Sequence, residues 1–393
     1  MVELLAPAGT MLKLKTAFRF GADAVYFAGK KFGLRAFAGN FEESEIEDAV
    51  KYAHSIGKKV YITVNILAHE ADFDGLEEYI KYLAACKVDA VIVADVGIIK
   101  LIREVAPNLE IHVSTQANVT NSYSAKFFAD MGVKRIVLAR ELSLEEIKKI
   151  RQNIPDNIEL EAFVHGAMCI SYSGRCLLSN YFTGRDSNRG ACVQACRWEY
   201  SITEKSRQGE QFPIEEDARG TYILNSKDLC MLKHISELEK AGVTSFKIEG
   251  RMKSEYYVAC VVNAYRRALD GEEIDISEVE KTSHRKFTTG FYFGERNKEC
   301  YESSSPVQTH EFVAIVTEDA RNGYVQLEQR NRFRLGDELE VLSPDENFNK
   351  TFIVTEIRNE NGESVEDAKK VQEKLYIKTD LSLKQGDILR IKI

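Results

Sequence analysis

One phrase recurs where a helical pattern gives way to an apolar run. It stands at 20–25 (Phe-Gly-Ala-Asp-Ala-Val), 84–91, 131–136 and 241–246. Each copy places glycine or another small residue at the end of a helix and then enters a β-rich run, as helix C-caps favour. Repetition of one helix-to-strand joint favours a closed parallel barrel over a doubly wound sheet.

Eight β-rich runs alternate with helical patterns over the first 250 residues. The runs lie at 2–6, 24–28, 59–66, 90–94, 111–116, 135–139, 160–164 and 245–248. Helical patterns occupy 44–55, 76–86 and 144–152 between them, and 255–270 after the last run. Strands that alternate with helices are typical of a (β/α)8 barrel, so the predicted fold class is α/β, a TIM-like barrel.

The predicted barrel domain spans residues 1–270 and carries a long Cys-rich insertion, about 166–230, between strands seven and eight. A connection of this length indicates a functional segment, because ordinary loops are much shorter. Residues 271–305 form a predicted connector that ends near Pro306. Beyond it, six short β-runs at 312–316, 324–327, 338–342, 350–357, 374–378 and 388–391 predict a small antiparallel β-barrel over 306–393.

Charge and hydropathy narrow the function classes. The net charge of −8 provides no overall field that attracts nucleic acid, so an RNA partner would need a local basic face. The N-terminus lacks the basic segment and cleavage site of a secretory signal. The most apolar stretch, 88–102, contains charged residues and is too short to span a bilayer. We therefore expect a cytoplasmic protein without a membrane partner.

Five of the eight cysteines lie close together in the sequence. Cys169, Cys176, Cys192 and Cys196 fall within one short segment, and Cys230 follows. In a reducing compartment, clustered thiols indicate metal or redox chemistry rather than disulfides. Their spacing lacks the two-residue knuckles of zinc ribbons, which favours an iron–sulfur cluster over zinc. Because Cys169 follows predicted strand seven, we expect this site at the barrel mouth, with a purely structural metal site as the alternative.

Several motifs around these cysteines resemble a known family. They lie at 161–169 (Glu-Ala-Phe-Val-His-Gly-Ala-Met-Cys), 173–179 (Ser-Gly-Arg-Cys-Leu-Leu-Ser), 188–192 (Asn-Arg-Gly-Ala-Cys), 196–200, 114–118 and 138–147. Together they resemble the collagenase-like peptidase family U32 over essentially the whole chain. Within that family the chain is most similar to the branch that helps to form 5-hydroxyuridine at the wobble position of tRNA.

The resemblance implies a tRNA-modifying enzyme that hydroxylates wobble uridine with prephenate as co-substrate and without molecular oxygen. Sister branches hydroxylate a cytidine of ribosomal RNA or the ring of a ubiquinone precursor, and the quinone branch carries a [4Fe-4S] cluster on four cysteines. Carried over by position, the ligands are Cys169, Cys176, Cys192 and Cys230, with Cys196 as an alternative ligand. The implied partner is the anticodon region of tRNA, and the resemblance leaves open a related partner subunit or a homo-oligomer.

Arginines near the expected site are candidate ligands for prephenate. This acid has two carboxylates, and a guanidinium fork matches a carboxylate edge. The candidates are Arg140, Arg175, Arg197 and Arg251. For each of them the alternative is a structural salt bridge with a carboxylate such as Glu141, Glu199 or Glu249.

Other residues near predicted strand ends complete the candidate site. His165 is a candidate proton donor or orienting residue, and the alternative is a hydrogen-bonded residue beside the cluster. Tyr26 and Trp198 are candidates to stack on a base that has left its stack, with a core position as the alternative. Amides that could contact the base or the co-substrate, or merely cap loops, are Gln116, Asn65 and Asn118. The candidate catalytic residues are His165, Arg140 and Gln116.

Two local basic segments, 281–286 and 330–334, are the predicted RNA contacts. Phosphate binding by such segments would depend strongly on salt. The alternative is a solvated charged face without a binding role.

A peptidase is the competing hypothesis, because some family members were named for collagen degradation. The sequence contains neither a His-Glu-x-x-His zinc motif nor a Gly-x-Ser-x-Gly elbow. His165 and Cys169 are the obvious Cys–His pair, and a thiolate bound to iron is not free to attack a peptide. Hydroxylation of ribosomal RNA by the same chemistry is a further alternative.

Overall fold

The computed structural model describes residues 2–34, 39–169, 171–172, 176–187, 190–198, 216–217, 220–221, 227–294 and 306–393. Its first part is a closed barrel of eight parallel strands. They are β1 (Glu3–Pro7), β2 (Ala24–Phe27), β3 (Lys59–Val64), β4 (Ala90–Val93), β5 (Glu110–Val113), β6 (Arg135–Val137), β7 (Glu159–Ala167) and β11 (Ser245–Ile248). Strand β11 pairs with both β1 and β7, which closes the ring. The predicted TIM-like fold class is confirmed.

Each of the eight predicted runs overlaps one barrel strand. The strands are almost entirely buried, as expected for parallel strands that are covered on both faces. Side chains that pack inside the barrel form a cluster of Leu5, Ala24, Tyr26, Tyr61, Ala90 and Ile92. Strand β7 is longer than predicted and continues to Ala167, so that it ends two residues before Cys169.

Helices connect the strands and begin at recognisable caps. Their bounds are α1 (Met11–Arg19), α2 (Glu43–Ser55), α3 (Leu76–Ala85), α4 (Val96–Val105), α5 (Ser122–Asp130), α6 (Leu144–Gln152), α7 (Leu178–Thr183), α8 (Ile235–Lys240), α9 (Glu255–Leu269) and α10 (Ser277–Glu280). Short 3₁₀ turns lie at Glu70–Phe73, Thr115–Ala117, Ala195–Arg197 and Leu232–His234. Ser143 and Glu146 form a capping box at α6, which satisfies free backbone amides at the start of that helix. The four predicted helices are confirmed.

Short strands extend the barrel sheet beyond β7. Strand β10 (Asp228–Cys230) pairs antiparallel with β7, and β12 (Phe287–Thr288) pairs parallel with β10. A separate two-stranded ladder joins β8 (Glu216–Asp217) to β9 (Gly220–Thr221). The buried Asp228 carboxylate accepts hydrogen bonds from the Arg285 side chain, at 3.0 Å from Nε, and from the Arg285 backbone at 3.1 Å. These contacts hold β10, at the end of the insertion, to the segment that leads into β12.

The C-terminal part is a curled antiparallel sheet. Its strands are β13 (His310–Val316), β14 (Tyr324–Gln329), β16 (Glu338–Leu342), β17 (Thr351–Ile353), β18 (Ile357–Asn359), β20 (Lys374–Lys378) and β21 (Ile388–Lys392), in the order β17-β16-β21-β13-β14-β20-β18. The two-residue strands β15 (Phe333–Arg334) and β19 (Asp367–Ala368) pair with each other. Alternate residues such as Val325, Leu327, Leu339 and Val341 face one apolar core. The predicted run 350–357 is divided between two strands, β17 and β18.

The chain divides into two compact units. The first comprises Met1–Leu14, Ala22–Met252 and Arg285–Pro306, and the second comprises Lys15–Gly21, Lys253–His284 and Val307–Ile393. Helices α9 and α10 therefore group with the C-terminal sheet. Within the described residues, no helix combines the length and the apolar character needed to cross a membrane.

Candidate functional site

A cavity lies at the carboxyl ends of the barrel strands in the first unit. Its floor, as the name is used below, comprises side chains that belong to the strands themselves: Tyr26, Thr63, Ile92, Val137, Phe163 and Lys247. Its wall includes residues that follow the strand ends: Asn65, Ser114, Gln116, Arg140, Glu249 and Arg251. In barrel enzymes the catalytic groups occupy these positions, which makes the cavity the candidate active site.

Four cysteines of the insertion line the same cavity: Cys169, Cys176, Cys192 and Cys196. Cys169 is accessible to solvent and the other three are half-buried. Surrounding protein atoms desolvate the Cys169 thiol and raise its pKa, although the residue is accessible, and the neighbouring Cys176 and Cys192 thiols act in the same direction. The structure therefore brings together four of the five predicted thiols.

Cys230 and His165 lie side by side on neighbouring strands. Cys230 of β10 is in register with His165 of β7, and both residues are buried. The His165 ring meets Phe287 edge to face, with 5.4 Å between ring centroids. Neither residue is among the described side chains that line the cavity. The choice between Cys230 and Cys196 as a cluster ligand stays a prediction.

The donor set of the cavity fits a thiolate-bound cluster. Soft thiolates are the ligands that iron–sulfur clusters use, and four of them share one cavity. Among the described residues, no three His, Cys, Asp or Glu side chains meet at a point that could hold a single metal ion. A cluster does not need such a point, because its thiolates bind different iron atoms.

Arg140 is held on the cavity wall by a carboxylate. Its Nη2 lies 2.9 Å from Oε2 of Glu249, and its Nη1 donates to the Ala167 carbonyl at 2.9 Å. The guanidinium carbon also stands 3.8 Å from the centroid of the Phe163 ring. The salt bridge that was the alternative for Arg140 is thus present, and it fixes the guanidinium at the cavity.

Arg251 and Asn65 join several strand ends in the wall. Arg251 Nη1 donates to Thr63 Oγ1 at 3.3 Å, and Nη2 donates to the Leu34 carbonyl. Asn65 Oδ1 accepts from the Leu34 amide at 3.1 Å, and its Nδ2 donates to Ser114 Oγ at 3.3 Å. Both residues are buried, so they shape the wall as well as line it.

The remaining predicted residues occupy different places. Gln116 lines the cavity from the turn Thr115–Ala117, whereas Asn118 ends that turn in a left-handed conformation (φ 55°) and is not among the described lining residues. Tyr26 donates its hydroxyl to the Ile248 carbonyl at 2.9 Å in the cavity floor, and Trp198 is exposed. Arg175 lies outside the described residues, as does the side chain of Arg197.

The family of the chain follows from two matches that together span nearly all of it. Residues 9–302 match the family described as Peptidase family U32, and residues 308–390 match the Peptidase family U32 C-terminal domain. The chain belongs to peptidase family U32. The predicted family is therefore confirmed.

Several relatives of this U32 protein are named for hydroxylation of RNA. It is 40% identical to tRNA hydroxylation protein P1 of Bacillus subtilis (strain 168), across 99% of this chain and 94% of that protein. It is 38% identical to tRNA hydroxylation protein P of Escherichia coli (strain K12), across 92% of this chain and 90% of that protein. It is also 38% identical to the 23S rRNA 5-hydroxycytidine C2501 synthase of Escherichia coli (strain K12), across 74% of this chain and 45% of that protein.

The U32 barrel also contains a buried ion network that the sequence analysis missed. Glu161 Oε1 accepts from Lys247 Nζ at 2.7 Å, and Glu161 Oε2 accepts from Arg135 Nη1 at 3.0 Å. Arg135 in turn contacts Glu3 Oε1 at 2.5 Å. Burial acts to raise the pKa of Glu161, but Lys247 and Arg135 outweigh it and hold that pKa at about 2. Charged residues inside short apolar strands were the available signal.

The two basic segments predicted to contact RNA are paired with acids of the same U32 chain. Arg285 is buried against Asp228, and Lys281 Nζ lies 2.8 Å from Glu340. In the other segment, Arg332 contacts Asp367 at 2.5 Å, and Arg330 Nη2 lies 2.9 Å from Glu328. This pairing favours a neutralised charged face over a phosphate-binding patch at both segments.

Proposed function

We propose that this U32 protein is an RNA-base hydroxylase that acts on the wobble uridine of tRNA. The length of the match carries the proposal, because the two relatives named for tRNA hydroxylation align with 99% and 92% of this chain. The shorter match to a 23S rRNA 5-hydroxycytidine synthase supports the broader class, hydroxylation of an RNA pyrimidine.

The position of the cavity supports this substrate class. Its floor belongs to the barrel strands, so a base must leave its stack in the anticodon loop to reach it. The cationic side chains of Arg140, Arg251 and Lys247 suit an acidic co-substrate. We propose that prephenate is this co-substrate and that the reaction does not use molecular oxygen.

The thiols would hold an iron–sulfur cluster, proposed as [4Fe-4S]. Cys169, Cys176 and Cys192 would be ligands, together with either Cys230 or Cys196. When bound, the cluster supplies one-electron chemistry or a Lewis-acidic iron next to the substrate. Placement of four thiols around one cavity supports a cluster there, and a site for one metal ion is not found within the described residues.

A peptidase mechanism has little support in the described site. The candidate base His165 is in register with Cys230 and is not among the described lining residues, whereas Cys169 lines the cavity. A nucleophilic cysteine needs a base within hydrogen-bond reach.

Nucleoside mass spectrometry of tRNA tests the proposal in cells. A strain that lacks this gene and any redundant route should lose 5-hydroxyuridine and its derivatives, and the intact gene should restore them. Cys169→Ala should fail to restore them, because it removes a thiol from the cavity. Cys86→Ala is the matched control, since Cys86 lies at the end of α3 and does not line the cavity.

The same cells separate the alternatives. Unchanged 5-hydroxyuridine in the deletion strain, with loss of 5-hydroxycytidine from ribosomal RNA, would move the substrate from tRNA to ribosomal RNA. If Cys169→Ala restored 5-hydroxyuridine fully, the Cys169 thiol would not be needed for the reaction.

A further inference from the structure

A single lysine in the cavity floor has more hydrogen-bond donors than partners. Lys247 is 4% exposed, and its ammonium donates to Glu161 Oε1 at 2.7 Å. The ammonium also lies over two aromatic rings, at 4.3 Å from the Tyr26 centroid and 5.6 Å from the Phe163 centroid. Among the described residues, Glu161 is its one hydrogen-bond acceptor.

This arrangement costs free energy unless a further acceptor is present. An ammonium carries three N–H donors, and a buried charge is tolerated when it is both paired and hydrogen-bonded. An aromatic face offers a cation modest attraction but no lone pair. The two remaining donors of Lys247 therefore suit a ligand that occupies the cavity.

The charge of the cavity indicates which ligand this is. The described lining residues include three cationic side chains, Lys247, Arg140 and Arg251, and one carboxylate, Glu249, which is bound by Arg140. The three cations belong to the barrel side of the cavity, whereas the thiols come from the insertion, so the barrel side favours an anion over a neutral base. Hydrogen bonds between an ammonium and a carboxylate are also stronger than those to a neutral carbonyl.

We propose that Lys247 binds a carboxylate of the small organic acid co-substrate at the cavity floor, and that Glu161 is the residue that positions the ammonium. This assignment rests on the proposed function and adds a binding residue to it.

Glu161 is suited to positioning because its other oxygen is already fixed. Oε2 accepts from Arg135 Nη1 at 3.0 Å and from Ser245 Oγ at 3.3 Å, while Oε1 faces Lys247. The carboxylate is completely buried. Its place at the start of the motif 161–169 thus has a physical explanation, since that motif ends at the thiol of Cys169.

Calorimetric titration of the anaerobically purified full chain tests the assignment. The probes are prephenate, which is acidic, and uridine, which is neutral. We expect the double variant Lys247→Met/Glu161→Gln to bind prephenate about ten- to hundredfold more weakly, the loss expected for a charged hydrogen bond. Uridine binding should be unchanged. The double variant removes both charges because Lys247→Met alone leaves Glu161 without its nearest cation.

Matched variants separate binding from folding. Lys100→Met/Glu104→Gln makes the same changes at an exposed pair on α4 and should bind prephenate like the wild type. Lys247→Gln keeps a hydrogen-bond donor for Glu161 and is a second variant that should fold. We expect it to bind prephenate more weakly by the same factor. For Glu161→Gln, the KM for prephenate should rise while kcat changes less, which a general loss of structure would not produce.

Each outcome has a distinct meaning. Equal prephenate binding by the wild type and both Lys247 variants overturns the assignment and leaves the proposed function standing. Equal weakening for prephenate and uridine also overturns it, because the effect is then not directed at a carboxylate. If the wild type binds no prephenate, the assignment and the proposed co-substrate both fail, whereas tRNA hydroxylation itself is still decided by the nucleoside measurement in cells.

Discussion

Two buried cations, Arg390 and Lys247, have very different surroundings. Arg390 belongs to the second unit and contacts four partners: Glu340 at 2.7 Å, Glu278 at 3.0 Å, Asn349 at 2.7 Å and the Cys260 sulfur at 3.5 Å. Lys247 belongs to the barrel and has one described hydrogen-bond acceptor, Glu161.

The number of hydrogen-bond partners distinguishes a buried cation with a structural role from one that can bind a ligand. Donors that are fully used by the protein contribute to a rigid core and have nothing left for a ligand. Donors without an acceptor in a cavity lower the stability of the free protein. A ligand that supplies the acceptor restores this free energy when it binds. The number of partners, rather than burial alone, indicates which buried charge is part of the candidate site.

Removal of Arg390 should have the largest effect on stability. Arg390→Met removes the buried guanidinium that Glu278 and Glu340 share, while Lys281 still contacts both carboxylates. We therefore expect a loss of about 3 kcal/mol in the free energy of unfolding, at the low end for a broken buried pair. Urea unfolding followed by circular dichroism measures it. Arg332→Met, at an exposed pair with Asp367, is the control and should produce no resolvable change. An Arg390→Met protein as stable as the wild type would contradict a structural role.

Acid should weaken the Arg390 region through His310. Desolvation lowers the pKa of His310 to about 4, with Arg390 and Lys281 acting in the same direction and Glu340 and Glu278 opposing it. Below about pH 6.5 His310 binds a proton in the unfolded chain but stays neutral in the folded chain. The free energy of unfolding therefore falls as the pH is lowered from about 6.5 to 4. The slope should reach about 1.4 kcal/mol per pH unit.

Thermal unfolding across this pH range, compared with His310→Gln, measures the His310 contribution. The variant should show a smaller slope between pH 6.5 and 4. Identical slopes for the two proteins would show that His310 is not held neutral by its surroundings.

Replacement of the buried Lys247–Glu161 ion pair by two neutral side chains should change stability less than either change in the Arg390 region. Lys247→Met/Glu161→Gln removes a buried ion pair while Arg135 keeps Glu3 and Glu159, so we expect a change within about 1 kcal/mol. Urea unfolding measures it alongside the prephenate titration. A loss in the free energy of unfolding as large as that of Arg390→Met would show that the Lys247–Glu161 pair is structural, and Lys247 and Arg390 would then not differ in role.

Local sequence patterns were sufficient to predict the barrel. Runs such as 59–66 and 90–94 are apolar over the length of one strand, and each helix-to-strand joint carries its own small-residue signal. The thiol cavity was also predictable, because Cys169 directly follows a strand and strand ends meet at one face of a barrel.

Contacts between distant segments were not predictable in the same way. Glu161 and Lys247 become neighbours through the pairing of β7 with β11, which joins residues 86 positions apart. Cys230 faces His165 because β10 adds to β7 in antiparallel order, and no local pattern marks that strand. The ion pairs of 281–286 were not predictable for the same reason, since acidic partners such as Asp228 lie far away in the sequence, and RNA contact by this segment stays a prediction.

The most direct test of the proposed activity is reconstitution with the purified chain. Anaerobically purified protein, with its cluster content measured, is incubated with unmodified tRNA and prephenate, and the nucleosides are analysed by mass spectrometry. We expect 5-hydroxyuridine at the wobble position without oxygen and none when prephenate is omitted, and we expect Lys247→Gln to need about ten- to hundredfold more prephenate for the same yield. Product that requires molecular oxygen, or that forms equally well without prephenate, would contradict the proposed activity.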